Sequence, residues 1–346
     1  MRTEPIRVGI VGAGANTRLK HIPGLRAIPN VEIVSVANRT RDSGERVARE
    51  FGIPKVYDHW LELVEADDTD AICIGTWPYL HCPVTLAALE NDKHVLCEAR
   101  MALNAAEAHI MLEAARHHPH LVTQVVPAPH TLAVDGTIQK LIAHGYLGEV
   151  LTVELRGLQP TFVDREGLLH WRYDVDLSGF NTLTMGIWYE AMMRWVGPAS
   201  RVMAMTKVCV PQRKDMSGLL RTVTVPDHVD IIAHLACGAI AHLRFSAVTG
   251  LAPANEAWLF GTEGTLRLDT ASLELYGGRR RDKDQQKIVI PQEELGRWRV
   301  EEEFVNAIRG TERVTHTSFE DGVRYMEFTE AVIRSAQSCQ AVNLPL

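Results

Sequence analysis

No apolar run in these 346 residues approaches the ~20 that a membrane-spanning helix needs, so a spanning segment is not expected. Basic charge is short as well. Against 36 Lys and Arg stand 43 Asp and Glu, a net of −7, which leaves no excess to neutralise nucleic-acid phosphates. Cysteine is sparse and unclustered: Cys73, Cys82, Cys97, Cys209, Cys237 and Cys339 stand singly, without the CxxC spacing of a zinc or redox site. They read as buried free thiols. The opening MRTEPIRVGIVGAG reaches a strand almost at once, without the apolar core and cleavage site of a signal peptide, so the expected compartment is the cytoplasm. Repeats and low-complexity tracts are missing too. What remains is ordinary: 46% hydrophobic and 23% charged residues, which exclude disorder and collagen and leave a small molecule as the default partner. The length suits about two domains.

The first third alternates continuously apolar strands with amphipathic stretches, the pattern of a parallel sheet covered by helices on both faces. Strands are expected at Arg7–Val11, Glu32–Ala37, Ala71–Gly75, His94–Cys97 and Leu121–Val126, and helices at Lys20–Ala27, Ser43–Phe51, Pro83–Asn91 and Ala105–Ala115. After Leu147-Gly148-Glu149 the strands alternate apolar and polar residues, at Val150–Arg156, Arg201–Val210, Val229–Ala236, Ile240–Ser246, Ala257–Gly261 and Thr265–Asp269. Cys237-Gly238 and Thr262-Glu263-Gly264 are hairpin turns. Helices near Tyr189–Val196, Glu293–Ile308 and Phe319–Ser338 can cover one face of that sheet, and Arg279–Asp284 is a solvated loop. The fold class is therefore α/β: a doubly wound parallel sheet in residues 1–126, then an α+β domain in 127–346 with a large, mostly antiparallel open sheet.

Gly12-Ala13-Gly14 follows the first strand directly and precedes a helix. The first glycine permits the turn and the second admits a pyrophosphate to the backbone, while Ala15 and Asn16 open the helix and supply N–H donors. Where a ribose-binding acid usually ends the second strand, the chain reads Asn38-Arg39-Thr40-Arg41. Neutral Asn38 does not repel a 2′-phosphate, and Arg39 can bind one in bidentate fashion, so NADP is preferred to NAD.

These segments together resemble the Gfo/Idh/MocA family of sugar and polyol oxidoreductases. The likeness rests on Gly12-Ala13-Gly14, on Gly75-Thr76-Trp77-Pro78-Tyr79-Leu80-His81, on His94-Val95-Leu96-Cys97-Glu98, on Gly145-Tyr146-Leu147-Gly148-Glu149-Val150 and on Phe260-Gly261-Thr262-Glu263-Gly264. It implies a Rossmann domain, Thr76, Trp77, His81 and Glu98 beside the cofactor, a sugar or polyol substrate, and a homo-oligomer formed through the open sheet.

The catalytic positions depart from that pattern. Ala99 and Arg100 replace the family's lysine and proline, and Thr184 and Trp188 replace its aspartate and histidine. Hydride transfer from an alcohol needs a proton acceptor, which an always-protonated arginine cannot be. His170 and Tyr173, in the loop before the helix, are candidates for a displaced acid/base. Arg100 can stabilise an alkoxide or hold a carboxylate, while His130, Arg172, Thr184 and the apolar ring of Trp188 are candidate substrate contacts. Glu190 is expected to pair with Arg194 on an outer helix face, and His117, His118 and His120 to suit a helix C-terminus rather than a metal. The function expected is NAD(P)-dependent oxidation or reduction of a sugar-like molecule. A lyase or hydrolase, a silent dinucleotide and sugar binder, and a purely structural subunit remain alternatives.

Overall fold

Continuous and alternating hydrophobic patterns mark different parts of the molecule, a computed structural model describing residues 4–346. The chain forms two compact units, one of residues up to Pro127 with Arg299–Val323, the other of Ala128–Trp298 with Arg324–Leu346. The sequence pattern assigns everything after residue 126 to the second domain, whereas residues 299–323 pack with the first unit.

In the first unit six parallel strands, β1 (Ile6–Val11), β2 (Val31–Ala37), β3 (Lys55–Tyr57), β4 (Ala71–Ile74), β5 (His94–Cys97) and β6 (Thr123–Val125), run in the order β3-β2-β1-β4-β5-β6. The order reverses between β1 and β4, and a ligand crevice is expected beyond the carboxyl ends of these two strands. All four residues of β4 are buried, as helices on both faces require. Two elements escape the sequence pattern, β3 and the helix Trp60–Glu65, because three and six residues carry too little periodicity. The helix expected over Lys20–Ala27 is instead a π-helical turn, Thr17–His21, followed by Ile22–Arg26. Pro23 explains the change, since it lacks the N–H that an α-helix would direct to the carbonyl of Leu19. The wider turn buries Thr17 and His21.

The second unit holds β7 (Val150–Leu158), β8 (Ala199–Lys207), a hairpin of β9 (Gln212–Lys214) and β10 (Leu220–Thr222), then β11 (His228–Leu235), β12 (Ile240–Ser246), β13 (Glu256–Gly261), β14 (Gly264–Asp269), β15 (Leu275–Arg279), β16 (Gln286–Lys287) and β17 (Val342–Asn343). Nine of these form one sheet, β16-β15-β14-β13-β7-β12-β11-β8-β17, antiparallel except where β7 runs beside β12. In β12 Ala241, Leu243 and Phe245 point into the core while His242 and Arg244 do not, so one face is covered. Ser335 of the helix Phe319–Ser338 accepts from Ala204 N at 3.0 Å, and Phe328 stacks on Tyr189 at 3.6 Å. Both expected hairpin turns form, and Arg279–Asp284 is the exposed turn between β15 and β16.

Two expectations need correction here, and one helix is not expected from the sequence at all. The helix placed over Glu293–Ile308 begins only at Val300, because Gly296 runs against the backbone of Leu132, where any side chain would overlap its carbonyl. A further helix, Leu132–Ala143, carries an interior Gly136 that weakens its local signal. Cys73, Cys82 and Cys97 are buried free thiols as read, but Cys237 and Cys339 are exposed and Cys209 is half-buried. Among the described residues no helix is long and apolar enough to cross a membrane, and no group of three metal-ligating side chains converges. His117 ends a helix as read and His118 caps it, bonded back to the Ala114 carbonyl, whereas His120 lies beyond the cap, 3.1 Å from Asp92.

Candidate active site

The crevice expected in the first unit is built from close backbone contacts. At Gly12, φ is +84°, and a Cβ there would lie 2.8 Å from the Thr76 amide nitrogen; at Gly75 one would overlap Thr17 Oγ1 and the Gly12 carbonyl. Only glycine fits at either point. The Gly12 amide donates to Ala37 O and that of Gly75 to Val11 O, both at 2.8 Å, so each loop is clamped to a strand end. Asn38 Oδ1 accepts from Ala13 N at 2.7 Å, so its role is to fix the glycine loop rather than merely to tolerate a phosphate on a ribose. Gly14, Ala15 and Asn16 remain exposed; the Gly14 amide donates to Gly12 O at 3.0 Å, and Ala15 and Asn16 stand at a helix start, where the first N–H groups have no acceptor within the helix. Thr76 Oγ1 is buried without a hydrogen-bond partner among the described residues. An open cradle of amide donors beside an unsatisfied hydroxyl fits the pyrophosphate of a dinucleotide.

Around this cradle the other expected residues divide by what they already hold. Thr40 caps the following helix by accepting from Ser43 N, and Arg41 is paired with Glu45 at 3.0 Å and Asp58 at 2.8 Å. Arg39 is exposed, makes no ion pair among the described residues, and lies 5.4 Å over the ring of Trp77. His81 is fully enclosed, with Nδ1 2.8 Å from Arg100 O and Nε2 3.0 Å from Thr76 O. Burial pushes its pKa down, and its ring ties two loops together rather than facing a ligand. Arg100 is itself buried.

His21 had no signal in the sequence. Its imidazole is wholly buried between two carboxylates, Nδ1 2.6 Å from Glu301 and Nε2 2.9 Å from Glu98. Burial alone would lower its pKa, but the hydrogen bonds and charges of Glu301 and Glu98 prevail and raise it to about 9. Glu98, in turn, would be raised by burial yet sits below the ordinary carboxylate range, because His21, Asn16 and the Ala99 amide all donate to it.

In the second unit the candidate substrate residues gather on loops and on the helix Met185–Val196. His130 stacks on Trp188 with centroids 5.1 Å apart and planes 19° from parallel. The indole, expected to offer its face to a sugar, is 7% exposed because His130 covers it. His130 itself is exposed and has no hydrogen-bond partner among the described residues; desolvation of its ring lowers its pKa. His170 accepts from Arg172 N at 3.3 Å as a cap, and its pKa is lowered by desolvation first and by Arg172 second. Arg172 lies 4.3 Å over Trp171, and Arg213 lies 5.2 Å over Tyr173, whose pKa burial raises. Thr184 precedes the helix without a side-chain capping bond, its hydroxyl facing Gly157.

Glu190 does pair with Arg194, but in the interior rather than on an outer face. Arg194 Nε also donates to Asp135 at 2.9 Å, and Nη2 to Ala128 O and Thr131 Oγ1, while Glu190 accepts from Ala128 N at 2.6 Å. These bonds fix the chain on both sides of His130. Asp135 lies 59 residues before Arg194, beyond the reach of any helical spacing rule.

Residues 6–125 match the oxidoreductase family described as having an NAD-binding Rossmann fold, and residues 136–267 match the GFO/IDH/MocA C-terminal domain. The dTDP-3,4-didehydro-2,6-dideoxy-alpha-D-glucose 3-reductase of Streptomyces antibioticus is 30% identical over 78% of this chain and 77% of its own. Mouse trans-1,2-dihydrobenzene-1,2-diol dehydrogenase (Mus musculus) is 24% identical over 76% of this chain and 74% of its own. In fold, the chain is similar to levoglucosan dehydrogenase in complex with NADH and L-sorbose, with TM-score 0.87 and 22% identity over 98% of this chain and 99% of that one. With the glycine cradle at the strand switch and both domain matches in place, the chain belongs to the Gfo/Idh/MocA family of NAD-binding oxidoreductases.

Proposed function

We propose that this protein oxidises or reduces a sugar-like or polyol molecule with NADP, or less tightly NAD, and that His130 moves the proton. The observation that carries the cofactor reading is the cradle of Gly12, Gly14, Ala15 and Asn16 beside the unsatisfied Thr76 hydroxyl. When bound, the nicotinamide supplies the hydride acceptor or donor. Arg39 is available for a 2′-phosphate, with Trp77 beneath it, and Glu98 is the cofactor-side carboxylate.

The case for His130 over His170 or Tyr173 is its stack on Trp188, the residue standing where the family carries its histidine. An imidazole on a neighbouring loop thus lies against the side chain that fills that position of the helix. Its lowered pKa leaves it neutral near pH 7, able to take a hydroxyl proton, while Thr184 and Arg172 can hydrogen-bond substrate hydroxyls. His130→Asn should lower kcat about a hundredfold with cofactor affinity intact, the lower end of what a general base contributes. An unchanged kcat returns the role to His170 or Tyr173.

Titration with NADH and NADPH, followed by a sugar and polyol screen at the nicotinamide absorbance band, tests the whole reading. NADPH should bind at least fivefold more tightly than NADH, and some substrate should change the absorbance. Failure to bind either dinucleotide rejects the reading. Because Ala99, Thr184 and Trp188 remove three polar groups, a silent binder is the second reading; it predicts tight cofactor, a thermal shift with a sugar, and no turnover. We also propose that the outward sheet face, where Met203, Met205 and Ile232 are exposed, pairs with a second copy in the cytoplasm. Sedimentation showing only monomer at micromolar concentration removes that part.

A further inference from the structure

We infer that His21 is a positioning residue of the dinucleotide site: clamped as an imidazolium between Glu98 and Glu301, it fixes the Glu98 carboxylate against the Asn16 amide at the start of the glycine-loop helix. The inference rests on the reading of this crevice as a dinucleotide site.

Both ring nitrogens of His21 contact carboxylate oxygens, and carboxylates accept only, so the ring serves both partners fully only when both nitrogens carry protons. That arrangement spans the unit. Asn16 and His21 come from the segment after β1, Glu98 from the end of β5, and Glu301 from the helix Val300–Ile308 in the returning segment. Gly24 lets Glu301 approach, since a Cβ there would lie 2.7 Å from its carboxylate oxygen. The Cys73 thiol of β4 faces both carboxylates, and Cys97 and His81 face Glu98; burial raises the pKa of both thiols and lowers that of the His81 ring, so none of the three brings a competing charge. Glu98 therefore cannot turn without breaking bonds to His21, Asn16 and the Ala99 amide together.

Charge follows from the same geometry. With His21 protonated, the three side chains carry one net negative charge; once it loses a proton they carry two, beside a cradle meant for an anionic pyrophosphate. One carboxylate then also loses the imidazole N–H from which it accepted, a loss that costs most in a buried site. Dinucleotide affinity should accordingly hold steady through neutral pH and fall as His21 titrates, near pH 9.

The test is NADH affinity by fluorescence titration between pH 6.5 and 10 for the wild type, His21→Gln and Glu301→Gln, each checked for a cooperative melt. We expect wild-type affinity to be flat up to pH 8 and at least fivefold weaker by pH 10. Glu301→Gln removes one of the two charges that hold the proton, so its fall should begin at least one pH unit lower. His21→Gln should bind at least fivefold more weakly at pH 7 and lack the alkaline fall. A residue that merely fills space would leave the Glu301→Gln profile where the wild type has it, and that outcome overturns the inference. If His21→Gln does not fold, the displaced profile of Glu301→Gln decides alone. Absence of NADH binding in the wild type overturns the dinucleotide reading and this inference with it, whereas wild-type binding with an unmoved profile overturns only the role of His21.

Discussion

Alanine in place of Gly75 is expected to abolish NADH binding and to destabilise the fold by about 3 kcal/mol or more, at the upper end of what overpacking costs. A single methyl group does this because it has no flexible neighbour to displace. One side of it would meet the Gly12 carbonyl, which belongs to backbone clamped at both ends, and the other Thr17 Oγ1, which already donates to that same carbonyl at 3.2 Å. Relief requires the loops beyond β1 and β4 to part, and parting them dissolves the cradle. Gly12→Ala, with its positive φ and its approach to Thr76, should act in the same direction. The measurements are urea unfolding and NADH titration on the same preparation. An alanine protein that binds within twofold of the wild type would show that the cradle does not depend on this backbone contact.

Removing Arg194 is the second large effect. Arg194→Met keeps much of the apolar stem but leaves Asp135 and Glu190, both buried, without their shared cation, and breaking such a cluster from one side costs about 3–5 kcal/mol. For a unit of this size that corresponds to roughly 10 °C in Tm. On the proposed role of His130 the effect also reaches chemistry. Ala128 and Thr131 lose donors on either side of His130, so the stack on Trp188 loosens and kcat should fall even at temperatures where the protein stays folded. A calorimetric shift below about 3 °C would mean that water replaces the guanidinium at little cost.

These two cases also show what the residue order discloses. The glycine loop was readable because its cause is local: a strand, a glycine pair and a helix start within a dozen residues. The parallel strands were readable because burial on both faces leaves unbroken apolar runs, and the second sheet because burial on one face leaves alternation. Glu190 and Arg194 were visible as a pair at helical spacing, yet their burial was not, because it is decided by Asp135 and Ala128 on a distant segment. His21 was invisible for the same reason. Its meaning comes from Glu301, 280 residues away, and nothing near position 21 announces a partner. The stack of His130 on Trp188 likewise joins two segments that no period relates. Local grammar thus discloses the glycine loop, while His21, Glu190 and the stack of His130 on Trp188 depend on contacts between remote segments.

The return of residues 299–323 to the first unit has a consequence for synthesis. A domain that ended at residue 127 would be complete as soon as it left the ribosome, but here His21 and Gln124 must wait for Glu301 and Glu303, whose carboxylates can accept from them only after residues 128–298 of the second unit have been made. At about 5–20 residues per second that delay is on the order of ten seconds or more. During it the buried His21 has Glu98 but not Glu301, the buried amide of Gln124 lacks Glu303, and the glycine cradle rests on an unfinished floor. The nascent first unit should therefore acquire dinucleotide affinity late, almost at chain release, and a fragment ending at residue 127 should bind NADH only when a peptide spanning 299–323 is supplied in trans.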